Sequence, residues 1–200
     1  MKNPWLTIIG VGESGLHYLA DVSQKRLEKA DIIIGPPRHL RLLELSGGNI
    51  LEWPVPFSEG LNQLDTHKGK RVVALVSGDP FWYGAGAAIL RKFPREDIEV
   101  LPGPSTFGWA AARMGWPIES ISCVGLHAKP VEHIRSLIAS KRKIIALMRD
   151  GDQVVSLAAY LAKIGFGKTK LHVLEALGGE NEKIRAVSYT HLRAHETESN

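Results

Sequence analysis

Cysteine is almost absent from this chain of 200 residues: Cys123 is the single thiol, so no disulfide can form within the chain. That pattern is typical of proteins from a reducing compartment. Cys123 stands between Ser122 and Val124 in an apolar run. We therefore predict a buried, unreactive thiol and not a nucleophile.

Long apolar runs are absent as well. No stretch approaches the roughly 20 apolar residues that a membrane-spanning helix needs. No such run follows a basic N-terminus, where a secretory signal would have one. The sequence therefore predicts a cytoplasmic protein without a membrane partner.

Charge of one sign is not concentrated anywhere in the chain. The 25 Lys and Arg residues exceed the 21 Asp and Glu residues by four, and they are scattered, whereas nucleic-acid-binding proteins gather them into a patch. We predict no nucleic-acid partner and no metal site. The small basic excess suits a polyanionic small-molecule substrate.

Short apolar runs alternate with helical segments along the whole chain. The five residues Val72–Val76 are all apolar, which is typical of a strand buried on both faces of a parallel sheet. Helices are predicted over 16–30, 38–45, 84–93, 107–114, 130–140 and 153–164, and further strands over 5–9, 32–34, 98–101, 121–124, 143–147 and 171–174. This alternation predicts an α/β fold, with a mainly parallel sheet in the first half.

The chain is expected to form two domains. We place the joint at Gly115–Pro117, which gives an N-terminal α/β domain over 1–116 and a smaller, mixed α/β C-terminal domain over 117–186. The polar stretch 187–200 has no apolar period and is expected to be a non-native tail. The native C-terminus is expected to be missing, which would truncate the second domain.

The glycine-rich loop after the first strand matches the Gly-x-Gly-x-x-Gly pattern of dinucleotide sites at Gly10, Gly12 and Gly15. Such a site also needs an acidic residue about 20 residues further on, at the end of the second strand. Asp31 has that separation but precedes its strand. Nicotinamide or flavin binding is therefore the weaker alternative, beside a plain tight turn or a loop that lines a different ligand.

Two further loops follow predicted strands in the same way. Ser77-Gly78-Asp79-Pro80 is followed by the aromatic residues Phe81–Tyr83, which suit a flat or heteroaromatic ligand, although Asp79 could also simply cap the next helix. Pro102–Thr106 lies between a strand and a helix, where its hydroxyl groups could be helix caps. Loops after parallel strands lie along one edge of a sheet, and ligands bind there in open α/β sheets.

The sequence resembles the tetrapyrrole (corrin/porphyrin) methylase family over residues 4–184, on three motifs: Ile9-Gly10-Val11-Gly12, Ser77-Gly78-Asp79-Pro80 and Leu101-Pro102-Gly103-Pro104-Ser105. Within that family it is most similar to the precorrin-6Y C5,15-methyltransferase group, in the domain that methylates ring carbon 5. That similarity rests on Ala30–Gly35 with Arg38-His39-Leu40, Arg113–Trp116, Leu126-His127 and Leu174–Gly179.

The resemblance implies a two-domain tetrapyrrole methylase fold that binds S-adenosylmethionine between its domains and transfers its methyl group to a corrin precursor of cobalamin biosynthesis. By position, it implies cofactor contacts at Val11, Gly12, Gly78, Asp79, Trp82, Ser105, Thr106, Leu147 and Met148. It also implies a homodimer, which is common among relatives.

The reaction that the resemblance implies is an in-line displacement of a methyl group that the cofactor has already activated, so alignment and exclusion of water can supply most of the acceleration. We predict no catalytic base, and we do not expect Asp79 to move a proton. A corrin precursor carries many carboxylates, so basic side chains are candidate substrate contacts: Arg38, His39, Arg41, Arg113, His127 and Lys129. For each of them, ordinary solvated surface is the competing interpretation. Two alternative functions remain: methylation of another tetrapyrrole position, and a cofactor-binding fragment without catalysis.

Overall fold

The computed structural model describes residues 4–187. The chain divides into two compact units, 1–105 with 178–180 and 106–177 with 181–200. We refer to them as the first and the second unit. The division lies about ten residues before the joint that the sequence suggested, because helix α5 (Thr106–Met114) contacts strand β7 (Ile144–Leu147) of the second unit.

The first unit is built on a five-stranded sheet in the order β3-β2-β4-β1-β5. Every neighbouring pair in it is parallel, as predicted. The strands are β1 (Leu6–Val11), β2 (Ile32–Gly35), β3 (Ile50–Glu52), β4 (Val72–Ser77) and β5 (Ile98–Leu101). Strand β3 is not among the strands that the sequence predicted.

Strand β4 at the centre of the sheet is buried on both faces, as its unbroken apolar run predicted. Val72, Ala74 and Val76 pack into one hydrophobic cluster, and Val73 and Leu75 pack into another on the opposite face. None of the five is more than 4% exposed. Because each face of a strand carries alternate residues, two separate clusters require helices or loops on both sides of the sheet.

Helices α1 (Asp21–Glu28), α2 (Pro37–Leu42) and α4 (Gly86–Lys92) are shorter than the sequence predicted. Helix α3 (Phe57–Asp65) has no counterpart among the predicted helices. The predicted helix over 16–30 is wrong in its first part: a 3-10 turn covers Gly15–Tyr18, and Leu19 and Ala20 are extended before α1 begins. Helix α3 starts next to Trp53, whose ring stacks on Phe57 at 4.7 Å between centroids.

Within its described residues, 106–177 and 181–187, the second unit holds two separate pairs of strands and two α-helices. Strand β6 (Ser122–Gly125) pairs with β7 in parallel, and β8 (Leu171–Glu175) pairs with β9 (Lys183–Val187) antiparallel. Helix α6 covers Gly151–Lys163, and the helix predicted over 130–140 is a 3-10 helix at Val131–Leu137. This mixed α/β arrangement is the one predicted.

Only the first residue of the expected tail, Val187, lies within the described residues, at the end of β9. Val187 pairs with Leu171 in the last described strand, which the sequence did not predict. Residues 188–200 lie outside the described residues. None of the helices in the described part of the chain is long and apolar enough to cross a membrane.

Candidate functional site

The three glycine-rich loops of the first unit meet at the carboxyl edge of the sheet. A Cβ added to Gly10 would lie 1.8 Å from the carbonyl oxygen of Gly78 and 2.4 Å from the amide nitrogen of Gly103. A Cβ on Gly103 would lie 2.6 Å from the carbonyl oxygen of Gly10. Real Cβ atoms essentially never approach backbone so closely, so the junction of Gly10, Gly78 and Gly103 requires residues without side chains.

Backbone hydrogen bonds run through this glycine junction from one loop to the next. The Gly78 amide donates to the carbonyl oxygen of Val11 at 3.0 Å, and the Gly103 amide donates to that of Gly78 at 3.1 Å. The loops after β1, β4 and β5 are therefore joined, as the sequence predicted for three loops along one edge. The edge offers a ligand mainly backbone amides and carbonyls, since the residues at its centre have no side chains.

The loop that follows Ser77 is held in shape by its own groups. The carboxylate of Asp79 accepts a hydrogen bond from the Phe81 amide at 2.8 Å, and the Gly86 amide donates to the carbonyl oxygen of Pro80 at 2.8 Å. Phe81 and Tyr83 stand out from it, 48% and 46% exposed. Asp79 thus stabilises the turn, and the neighbouring aromatic rings offer flat apolar surface at this edge.

His39 of α2 lies beside this loop and is only 3% exposed. Its Nε2 is 3.2 Å from the hydroxyl oxygen of Ser77, and its Nδ1 is buried with no hydrogen-bond partner among the described residues. Burial, helped by the charge of Arg38, lowers the pKa of His39 to about 4. At neutral pH His39 is therefore uncharged, and what it offers in this position is a hydrogen bond to the end of β4 instead of a surface charge.

Arg38, the residue before it, forms an ion pair with Glu13 of the first glycine-rich loop. Helix α2 therefore contacts two of the three loop regions, through Arg38 at Glu13 and through His39 at Ser77. Arg38 remains half-exposed, so its predicted contact with a substrate carboxylate stays a prediction. Arg41 is also exposed on α2, and its predicted contact likewise stays a prediction.

Asp31 lies at the opposite edge of the sheet. It precedes β2 and binds Arg71, which precedes the parallel strand β4: the guanidinium donates to both carboxylate oxygens, at 2.5 and 3.1 Å, and the Arg71 amide donates at 2.8 Å. These hydrogen bonds lower the pKa of Asp31 to about 2. A ribose-binding acid belongs at the carboxyl ends of the strands, so the pattern at Gly10–Gly15 lacks the partner that a nicotinamide site requires.

The second unit brings two other loops together at the carboxyl ends of its parallel strands. Residues 126–129, with the predicted substrate contacts His127 and Lys129, follow β6, and Met148 and Arg149 follow β7. The Leu126 amide donates to the carbonyl oxygen of Leu147 at 2.9 Å. A cavity of about 430 Å³ lies here, and Lys129 and Arg149 are among its lining residues.

Gln153 joins these two loops and was missed by the sequence analysis. Its amide nitrogen donates to the carbonyl oxygens of Leu126 and Lys129, and its amide oxygen accepts from the Arg149 backbone. A signal for it exists: Asp150 caps α6 and accepts from the Gln153 backbone at 2.9 Å, so Asp150-x-x-Gln153 follows the pattern of a capping box. That pattern marks a helix start but does not indicate the contacts made by the glutamine.

The remaining predicted residues have simpler surroundings. Arg113 of α5 forms a bidentate pair with Glu182 at 2.5 and 3.0 Å and lies over the Trp109 ring. Thr106 is exposed at the start of α5. The described residues contain no cluster of His, Cys, Asp and Glu that could hold a metal ion. Cys123 is half-buried, and burial raises the pKa of its thiol, which leaves little reactive thiolate at neutral pH.

Relatives with established names match nearly the whole chain. This chain is 36% identical to precorrin-6Y C(5,15)-methyltransferase [decarboxylating] of Sinorhizobium sp over 183 residues, which are 91% of this chain and 44% of that protein. It is 26% identical to cobalt-precorrin-7 C(5)-methyltransferase of Salmonella typhimurium, over 90% of this chain and 88% of that protein. The chain thus spans under half the length of the first relative and most of the second.

The fold is shared with solved structures. The uroporphyrin-III C-methyl transferase of Thermus thermophilus, complexed with S-adenyl homocysteine, superimposes with a TM-score of 0.74 at 18% identity, covering 96% of this chain and 91% of that one. The family model of the tetrapyrrole (corrin/porphyrin) methylases matches residues 5–192. On this match, which includes all three loops of the glycine junction, the chain belongs to the tetrapyrrole (corrin/porphyrin) methylase family.

Proposed function

We propose that this protein transfers a methyl group from S-adenosylmethionine to carbon 5 of a corrin precursor, precorrin-6Y or cobalt-precorrin-7, in cobalamin biosynthesis. The observation that carries the proposal is the glycine junction at the carboxyl edge of the five-stranded sheet. Support for the substrate comes from the two methyltransferases above, whose names specify carbon 5.

The residues at the glycine junction fit S-adenosylmethionine. Its amino-acid and ribose parts need hydrogen-bond donors and acceptors, and the loops after β1, β4 and β5 present backbone groups with no side chain in the way. Its adenine is flat, and exposed aromatic residues follow Asp79. The Thermus thermophilus relative was solved with the demethylated form of this cofactor.

The proposed cofactor contacts are those that the resemblance to the family implies. In the first unit they are Val11, Gly12, Gly78, Asp79, Trp82 and Ser105. In the second unit they are Thr106, Leu147 and Met148. Because much of this contact would be made by backbone atoms, loop shape matters more than the identity of each side chain.

Bound S-adenosylmethionine supplies an activated methyl group on a sulfonium centre. The task of the chain is then to orient the two reactants and to exclude water from them. Asp79 holds the turn through the Phe81 amide and is not needed as a base. His39 stays neutral and fixes the end of β4 through Ser77, which keeps a charge from being buried beside the loop.

The carboxylates of the corrin precursor are proposed to meet basic side chains of both units: Arg38, Arg113, His127 and Lys129. His39 is buried and uncharged at neutral pH, so its proposed contact would be a hydrogen bond and not an ion pair. Lys129 is exposed and lines the 430 Å³ cavity. Arg38 and Arg113 already have carboxylate partners, so a substrate would compete with Glu13 and Glu182 for them. Action in the cytoplasm and assembly as a homodimer are part of the same proposal.

A second candidate is cofactor binding without catalysis. Both candidates require the glycine junction to bind the cofactor, and they differ only in methyl transfer.

Two measurements separate the candidates. Calorimetry with S-adenosylhomocysteine tests binding, and incubation of precorrin-6Y with radiolabelled S-adenosylmethionine tests transfer. Binding with label at carbon 5 supports the proposal, and binding without transfer supports the second candidate. Absence of binding by the folded chain rejects both, and tight binding of NAD instead would restore the dinucleotide alternative.

A further inference from the structure

We infer that Gln153 is a positioning residue for the part of the site in the second unit. It would hold the His127 loop at a fixed place relative to Met148. This inference rests on the proposed function, because it assumes that the loops after β6 and β7 contact cofactor and substrate.

The side chain of Gln153 is 8% exposed and uses both ends of its amide. Its nitrogen donates to the carbonyl oxygen of Leu126 at 2.8 Å and to that of Lys129 at 3.0 Å. Its oxygen accepts from the amide of Arg149 at 2.8 Å. Two carbonyls need the NH₂ group and one amide needs the oxygen, so these partners permit only one orientation of the side-chain amide.

The three partners of Gln153 lie next to proposed site residues. Leu126 and Lys129 are the two ends of a four-residue loop whose interior holds His127, and Gln153 binds both ends. Arg149 is the residue directly after Met148. One buried amide therefore sets the place of a proposed substrate contact, His127, and of a proposed cofactor contact, Met148, with respect to each other.

No other natural side chain makes the same three bonds at this reach. Methionine fills a similar volume but leaves the Leu126 carbonyl without this partner in a buried place, and the Lys129 carbonyl and the Arg149 amide without it in a partly buried one. Buried polar groups without partners are costly. A carboxylate in the place of the amide could accept from Arg149 but would repel both carbonyls. In its protonated form that carboxyl could again donate to one of them.

The test compares Gln153→Met with Gln24→Met in the full chain. Gln24 is a matched control because its amide nitrogen also donates to a backbone carbonyl, that of Leu19 at 2.9 Å, but on α1 of the first unit. We expect S-adenosylhomocysteine to bind Gln153→Met at least about tenfold more weakly than wild type, and Gln24→Met to bind as wild type does. Circular dichroism checks that both are folded at the temperature used. Hydrogen exchange at the Arg149 amide should be faster in Gln153→Met alone.

Gln153→Glu provides a second measurement, the pH dependence of ligand affinity, which a purely structural role of Gln153 would not change. Its affinity for S-adenosylhomocysteine, as a ratio to wild type at the same pH, should rise as the pH falls from 8 to 6 and the new carboxyl takes up its proton. Three outcomes would overturn the inference. The first is equal affinity of wild type and Gln153→Met, and the second is a ratio of Gln153→Glu to wild-type affinity that does not change with pH. The third is failure of both Gln153 variants to fold. If wild type itself does not bind, the proposed function fails first.

Discussion

The two units hold their loops by different means. In the first, the loops after β1, β4 and β5 are joined by backbone hydrogen bonds at a junction of three glycines. Two of these strands, β1 and β4, are almost completely buried. In the second, the loops after β6 and β7 are joined largely through one side chain, Gln153, and every residue of β7 is partly exposed.

This difference has a structural origin. Five parallel strands covered on both faces make a rigid edge, so loops there can be fixed by contact between backbones. The strands found in the described part of the second unit form two separate pairs, and a cleft of about 1260 Å³ in this unit is lined by both β7 and β8. A loop supported by so small a sheet needs a side chain to hold it. We therefore expect added side-chain atoms at the glycine junction to destabilise the first unit strongly. In the second unit, we expect the loss of side-chain hydrogen bonds to have the greater effect.

The largest effect is expected for Gly10→Ala. The new Cβ would overlap backbone atoms of Gly78 and Gly103, which cannot turn away as a side chain can. We expect a loss of about 3 kcal/mol or more in the free energy of unfolding, measured by urea denaturation. Gly12→Ala is the matched control, because its Cβ would meet only the Ser14 hydroxyl at 3.9 Å. Equal midpoints for the two variants would contradict the close junction.

The second-largest effect is a pH dependence of the free energy of unfolding, which arises from His39. Its pKa of about 4 in the folded protein lies below the ordinary 6.5. Between these values the unfolded chain binds a proton that the folded protein does not, so stability falls as the pH falls from 6.5 toward 4. The full difference converts to about 3 kcal/mol.

Urea denaturation at pH 7.0 and at pH 4.5 checks this. We expect His39→Gln to lose much less stability than wild type between the two pH values, because it cannot take up the proton. His172 is exposed on β8, so His172→Gln should behave as wild type does. If wild type and His39→Gln had the same pH dependence, another group would be responsible.

The third effect is a difference in stability loss when the same substitution, Ile→Val, is made in the sheet of each unit. Ile8 of β1 is 0% exposed, and removal of one methyl group in Ile8→Val should cost about 0.5–1.5 kcal/mol. Ile144 of β7 is partly exposed, so Ile144→Val should cost less. Urea denaturation followed by circular dichroism gives both values. A larger loss for Ile144→Val would mean that the second sheet is packed as tightly as the first.

The central sheet could be predicted from the sequence because its signals are local. The unbroken run Val72–Val76 predicted a strand buried on both faces, and the glycines after three strands predicted loops along one edge. The resemblance to the family added what no pattern of residues gives, namely the cofactor and the substrate class. The site residues that it implied remain proposals.

The elements that were missed depend on contacts between distant residues. Strand β3 is three residues long and is defined by pairing with β2, and β9 is defined by pairing with β8. His39 was predicted as a basic contact for substrate carboxylates, with solvated surface as the alternative, but its burial depends on how α2 packs near Ser77. Gln153 was overlooked because its three partners lie up to 27 residues away.

The smallest effect is expected for Asp31→Asn. The pair of Asp31 with Arg71 is largely exposed, and such pairs contribute little to stability. It also lies at the amino ends of β2 and β4, away from the glycine junction. We therefore expect Asp31→Asn to leave the affinity for S-adenosylhomocysteine unchanged in calorimetry and to shift the thermal midpoint least among the variants above. A strong loss of affinity would place Asp31 at the ligand and would favour a dinucleotide-type site, in which an acid at this separation contacts the ribose. Unchanged affinity would instead exclude a contribution of Asp31 to binding, as expected if the ligand binds at the carboxyl edge, where the first unit is fixed by its glycines.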